Sequence, residues 1–214
     1  MEMIKVIARS SRLSQLQVKE VFEKFPEVPY TVLFTESFGD KNLGLSLLNG
    51  EAPDDMFTRE LDVALIEGKA DIAIHSAKDL PAQVHPELEV IALYEAFDKT
   101  DALVSRDHIH LVDLPAGSTV GTSSPLRKEG IMQLRPDLKI VGIRGCIEDR
   151  VKQVRDGRID CAIVATCALK RLGMESEITE ILPFPVHPMQ GRLAITARKG
   201  RSDLKQLFAK GSIL

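Results

Sequence analysis

An α/β protein of two lobes with a cleft between them is the fold class that this sequence predicts. Short β-rich runs alternate with stretches of helical periodicity, the pattern of strands joined by helical crossovers in a largely parallel sheet. The alternation passes through two successive cycles of domain size, and Pro183, Pro185 and Pro188 then mark a linker before a final strand and helix. The 214 residues, 44% hydrophobic and 28% charged, suffice for two small domains that each bury a core.

In the first cycle, residues 5–8 read as a buried strand. A helix is expected over 11–25, where Leu13, Leu16, Val18, Val21, Phe22 and Phe25 recur at roughly one face per turn. The β-branched and aromatic run 30–34 reads as a strand. Residues 56–67 repeat the helical spacing through Phe57, Leu61, Ala64 and Leu65, and strands follow over 70–75, 90–93 and 102–104. The second cycle predicts strands over 119–121, 139–143 and 161–165, and helices over 125–134, 147–154 and 168–172. A late strand over 193–197 and a helix over 202–209 close the chain. The tail returning past the linker assigns residues 1–97 and 186–214 to domain 1, and residues 98–185 to domain 2.

Composition excludes several classes. No apolar run approaches the ~20 residues of a membrane span, no basic amphipathic segment suggests a membrane surface, and the N-terminus reads as a strand start rather than a signal peptide. Cys146, Cys161 and Cys167 form an odd set without a C-x-x-C pair, which argues for a reducing, cytoplasmic setting and against a disulfide framework. His75, His85, His108, His110 and His187 have no zinc-ligand spacing, so no metal site is expected.

Charge is uneven. Residues 1–100 carry ten Lys/Arg against eighteen Asp/Glu, whereas residues 127–171 carry eleven against six. A basic segment within an acidic chain points to a local anionic ligand. That segment has no aromatic residue on which bases could stack, and the chain has no Trp and only two Tyr, so a small, highly charged anion fits better than nucleic acid.

Four strand-to-helix loops carry the equipment for such an anion: Ala8-Arg9-Ser10-Ser11; Gly121 to Arg127, with Ser124 as helix cap and Pro125 at the first helical position; Ile143-Arg144-Gly145-Cys146 with Arg150 beyond; and Ala165-Thr166 with Lys170-Arg171 one turn on. The most distinctive stretch is His75-Ser76-Ala77-Lys78-Asp79-Leu80-Pro81. There a buried strand delivers a serine, an ammonium and a carboxylate into a turn closed by proline. Such a carboxylate can accept N–H donors and stabilise a cation, while the ammonium binds a substrate carboxylate.

His75 to Pro81, Gly121-Thr122-Ser123-Ser124, Arg144-Gly145 and Leu169-Lys170-Arg171-Leu172-Gly173, in this order, resemble the porphobilinogen deaminase (hydroxymethylbilane synthase) family. The likeness extends over Ala8 to Ser11, Gly39-Asp40, Phe57-Thr58-Arg59-Glu60-Leu61 and Gln190-Gly191, almost the whole chain. It implies two periplasmic-binding-protein-like lobes and head-to-tail condensation of four porphobilinogen molecules with release of ammonia, in tetrapyrrole and haem biosynthesis. It also implies a dipyrromethane cofactor as primer. By resemblance, Asp79 is the catalytic acid. Ser76, Lys78, Ser124, Arg127, Arg144, Gly145 and Arg150 correspond to cofactor ligands, and Arg9, Ser11 and Arg171 to ligands of the incoming monomer.

The sequence also departs from the family pattern. Members carry a third, C-terminal domain whose cysteine forms the thioether to the primer; this chain stops at Leu214, so a short form without that domain is expected. Cys146 is then the candidate substitute tether, because Cys161 and Cys167 read as small core hydrophobes. Lysines and glycines of the family's lid-like stretch are replaced by Gly50-Glu51-Ala52-Pro53-Asp54-Asp55, which reverses the local charge, and one arginine after Ser124 is lost to the Pro125-Leu126-Arg127 sequence. The expected protein is a cytoplasmic monomeric transferase acting on porphobilinogen. A catalytically impaired pyrrole-binding relative and a solute-binding module for a carboxylate-rich ligand are the alternatives.

Overall fold

The computed structural model of the chain describes every residue except 1, 49 and 51. Its residues divide into two units: 1–42, 53–97 and 191–214 form the first, and 43–52 with 98–190 form the second. Residues 43–52 and 186–190, assigned to domain 1 from the sequence, thus belong with the second unit.

The first unit is built on a five-stranded sheet of order β2-β1-β3-β10-β4. Its strands are β1 (Ile4–Arg9), β2 (Tyr30–Thr35), β3 (Ile72–Ser76), β4 (Leu88–Tyr94) and β10 (Leu193–Arg198). Successive side chains of a strand point to opposite faces, and both faces here are apolar. Ile4, Val6, Ala8, Ile72 and Ile74 pack with Val18, Val21 and Phe22 of α1 (Arg12–Phe22) and Leu204 of α7 (Ser202–Leu207). Ile7 and Ala73 face the other way, onto Leu61, Ala64 and Leu65 of α3 (Arg59–Ile66). A sheet covered on both faces needs near-continuous hydrophobic strands, which is what made these runs legible.

The second unit repeats the plan, with a sheet of order β7-β6-β8-β5-β9. The strands are β5 (Asp101–Ser105), β6 (Thr119–Thr122), β7 (Lys139–Gly142), β8 (Cys161–Ala165) and β9 (Glu180–Leu182). Ala102, Val104, Ala162 and Val164 face α5 (Ile147–Arg155) and α6 (Thr166–Leu172); Leu103, Val120 and Ile163 share a cluster with Ile131 of α4 (Pro125–Leu134). Cys161 and Cys167 are buried in this unit.

Neither sheet is wholly parallel. In the first, β10 runs antiparallel to both β3 and β4, and in the second β5 runs antiparallel to both β8 and β9. Helix α1 stops at Phe22, short of the expected 25, ahead of the restriction that Pro26 places on the residue before it. The helix expected from residue 56 starts at Arg59. Two elements have no counterpart in the sequence reading: β9, and the four-residue α2 (Phe38–Lys41), which a reciprocal Ser37–Asp40 capping box holds. Among the described residues no helix is long and apolar enough to cross a membrane.

Candidate active site

In the first unit the chemistry gathers at the carboxyl ends of β1 and β3, neighbours in parallel register. Strand β3 ends at Ser76, and Ala77–Asp79 form one tight helical turn before Pro81. That turn lifts Lys78 and Asp79 off the sheet. Asp79 is half-buried, and among the described residues its carboxylate accepts only from Arg9, at 3.5 Å, the outer limit of hydrogen-bond reach.

Arg9 is gripped mainly from its other side. Its Nε donates to Asp40 Oδ2 at 3.0 Å, and its second terminal nitrogen donates to Asp40 Oδ1. The guanidinium carbon lies 4.5 Å from the Phe57 ring centroid, in cation–π position. Burial opposes the charge on Arg9, but the hydrogen bond to Asp40 and the two carboxylates outweigh it and raise its pKa. Asp40 shows the mirror image. Burial favours its neutral form, and Arg9 together with the Ser37 amide and hydroxyl pull its pKa below the ordinary range.

Behind this surface the strand is rigidly tied. Gln17, buried on α1, donates to Ser76 Oγ at 2.8 Å. His75 lies wholly inside, its Nε2 2.9 Å from Thr196 Oγ1 of β10, and burial, aided by the Arg9 charge, pushes its pKa down to about 3. Ser11 is the N-cap of α1 and accepts from the Ser14 amide, a bond that uses one lone pair of its hydroxyl oxygen.

The second unit places Ser123, Ser124, Arg144, Gly145 and Arg150 at the carboxyl ends of β6 and β7. The Ser123 hydroxyl donates to the Ile143 carbonyl and ties the two loops together. Ser124 caps α4, whose first turn carries Pro125 and no acidic residue, leaving the positive helix end uncompensated by its own side chains. Half-buried Arg144 donates to the Leu45 carbonyl at 3.4 Å, and half-buried Arg150 donates from Nε to the Gly145 carbonyl at 3.0 Å. Gly145 holds φ +100°, and a Cβ there would meet Asp149 at 3.0 Å, so both backbone and space call for glycine. Leu43 to Leu48 lie over Ser123, Gly142 and Arg144 around a cavity of about 280 Å³. Arg171 sits half-buried in the last turn of α6, beside Lys170, which pairs with Asp98 at 2.7 Å.

Three of the predicted features have partners within the protein. Arg127 is turned toward Asp101. It is buried, donates from two nitrogens to the buried Asp101 carboxylate at 2.9 and 2.6 Å, and also reaches the Ile163 carbonyl and Gln190 Oε1. Gln190 itself donates to Asp101, and to the carbonyls of Lys99 and Thr100. Cys146 is exposed as a residue, yet its thiol is partly desolvated and donates to Asp149 Oδ2 at 3.0 Å; that partial desolvation, the bond and the charges of Glu148 and Asp149 raise its pKa to about 11. A thiol so held is the opposite of an activated nucleophile. In the stretch 50–55, Glu51 lies outside the described residues, and the Asp55 carboxylate is bound two-pronged by Arg59 at 2.8 and 2.6 Å rather than left open.

Asp40, Phe57 and Gln190 lie in stretches that carry the family likeness but have no site role in the sequence reading, and Gln17 and Asp101 have neither. Asp40 also has a local physical trace, the Ser37-x-x-Asp40 spacing of a capping box; the partners of Gln17, Asp101 and Gln190 are distant in sequence.

A sequence model described as "Porphobilinogen deaminase, dipyromethane cofactor binding domain" matches residues 4–206. A probable porphobilinogen deaminase of Methanopyrus kandleri is 41% identical over 97% of this chain and 72% of its own length. The corresponding figures are 38%, 96% and 70% for one of Ignicoccus hospitalis, and 37%, 98% and 70% for the porphobilinogen deaminase of Chromobacterium violaceum. Among solved structures, a periplasmic substrate-binding protein of an ABC transporter from Coxiella burnetii superposes with a TM-score of 0.59 at 15% identity, covering 97% of this chain and 91% of that one. The VFT2 domain of Bordetella pertussis BvgS gives 0.57 at 15%, covering 98% and 86%. These last two show the fold alone, a two-lobed periplasmic-binding-protein-like α/β architecture. With the family model spanning nearly all of its length, and relatives this similar, the chain belongs to the porphobilinogen deaminase family.

Proposed function

We propose that the chain is a hydroxymethylbilane synthase, a transferase that joins porphobilinogen units head to tail and releases ammonia. The observation that carries this reading is the Asp79 carboxylate, presented on a turn at the end of β3 with one long contact to Arg9. Breaking the aminomethyl C–N bond sends the electron pair out with ammonia and leaves a methylene-pyrrole cation. A half-buried carboxylate stabilises that cation and accepts pyrrole N–H groups. Lys78 and Ser76 flank it, the ammonium suited to a substrate carboxylate.

The donors of the second unit fit a dipyrromethane, whose two rings bring acetate and propionate groups. Arg144 and Arg150 each carry five N–H donors in a planar fork and spend a bond on a backbone carbonyl, and the acid-free start of α4 adds partial positive charge. When bound, that group supplies the acceptor end to which pyrrole units are added. In this reading Arg144, Arg150, Gly145 and Ser124 hold it by charge and hydrogen bonding, without Cys146. Arg9 of the first unit orients the incoming monomer, Arg171 of the second unit is suited to a carboxylate ligand, and Arg127 serves from within by fixing the loop after β6.

Incubation with porphobilinogen, followed by ammonia release and by oxidation of the product to absorbing porphyrin, tests the assignment. Asp79→Asn keeps the shape but removes the charge; kcat is expected to fall by about 10²–10³-fold, the scale for loss of a transition-state charge stabiliser. Near-normal bilane production by that variant refutes the role.

A further inference from the structure

We infer that Asp40 is a positioning residue of this reaction, acting on Asp79 through the Arg9 guanidinium. The inference rests on the functional reading above. Arg9 stands between two carboxylates and does not divide itself equally between them. Asp40 takes two of its nitrogens, Nε at 3.0 Å and one terminal nitrogen in a shorter contact, while Asp79 receives a single contact at 3.5 Å. Two-pronged pairing fixes the guanidinium plane as well as its place.

The surroundings show that Asp40 is the fixed partner. Ser37 donates to Asp40 Oδ2 from both its amide, at 3.0 Å, and its hydroxyl, at 2.8 Å, so the carboxylate is locked by its own helix turn. The Gly39 amide donates to the Met56 carbonyl at 2.7 Å, and a Cβ on Gly39 would lie 2.5 Å from the Phe57 ring. The turn that carries Asp40 and the ring that covers Arg9 are therefore packed as one piece. Asp79, by contrast, hangs on a short turn with its second oxygen open among the described residues. Held this way, Arg9 lends Asp79 partial electrostatic support without closing over it. Released from Asp40, the guanidinium is free to chelate Asp79 and to occupy the lone pairs that the pyrrole N–H groups and the cation require.

A double-mutant cycle on the full chain tests this, with Asp40→Asn, Arg9→Gln and the pair. Asp40→Asn is expected to lower kcat/KM for ammonia release from porphobilinogen by tenfold or more, and Asp40→Glu to recover part of it. In the Arg9→Gln background, Asp40→Asn should cost less than twofold, because the residue through which it acts is gone. Penalties that multiply, or an Asp40→Asn enzyme within twofold of wild type, overturn the inference. The Arg9 Nε–H signal in a ¹⁵N spectrum gives a reading independent of turnover: slow exchange that survives Asp79→Asn and is lost in Asp40→Asn is expected. A signal unchanged in Asp40→Asn overturns the inference by itself. A wild-type chain that releases no ammonia overturns the functional reading and the role together, whereas an active wild type with additive penalties sinks only the role of Asp40.

Discussion

Histidine 75 makes the stability of this protein depend on pH in a calculable way. It is fully buried on β3 against Thr196, and its pKa falls to about 3 in the native state, burial being the main cause and the Arg9 charge the lesser one. In the unfolded chain it returns to about 6.5. The unfolded state therefore binds a proton that the native state refuses, and stability contributed by neutral His75 is complete above pH 6.5 and lost as pH falls toward 3. Between pH 7 and pH 5 the linkage relation gives a loss of about 2 kcal/mol from this one group. His75→Gln keeps a polar group facing Thr196 and removes the titration. Urea unfolding of both proteins at pH 7, 6 and 5 should show the wild type losing about 2 kcal/mol more than the variant across that range. Carboxylates that titrate over the same interval, Asp62 among them with its pKa raised to about 6 by burial, are common to both proteins and cancel in the difference. Parallel pH dependence in the two proteins refutes the reasoning.

Two further outcomes follow from the second unit. Arg127→Met strands the Asp101 carboxylate inside the protein and is expected to cost about 3–5 kcal/mol, whereas Arg127→Met combined with Asp101→Leu should recover much of that loss; chemical denaturation measures both. Cys146→Ser is expected to leave the intact mass of the bound form shifted only by the substitution and turnover within about twofold, the outcome for a thiol held protonated beside Asp149; mass spectrometry and ammonia release check it.

Much of the fold is legible in the sequence because the central strands of both sheets are covered on both faces. Strands β1, β3, β5 and β8 are therefore almost wholly buried, whereas the edge strand β2 is largely exposed, and helices α1, α3 and α5 carry a clear amphipathic period. Helix 125–134 is readable to the residue, since Ser124 and Pro125 mark its start chemically. Direction is another matter: an apolar run reads the same in either orientation, so the antiparallel placement of β5 and β10 leaves no local trace. Helix α2 is too short for any period to show. In the candidate site, residues delivered by loops after strands are readable from those loops, as with Asp79, Lys78 and Arg144. What each arginine pairs with is not. Arg127 and Asp101 are 26 positions apart, and Arg9 and Asp40 are 31. Nothing in composition or spacing distinguishes an arginine committed to a buried carboxylate from one offered to a ligand.

The placement of β10 carries a consequence for biosynthesis. This strand, residues 193–198, is the one ladder among the described residues that joins β3 to β4. Until residues 193–198 have left the ribosome, β4 has no partner along that side, and residues 4–94 must wait with an open seam. Loop closure over so long a separation is slow and leaves a sticky strand margin exposed meanwhile. A nascent chain arrested before residue 193 should accordingly depend on a holding chaperone, while residues 98–190 already contain every strand of their own sheet.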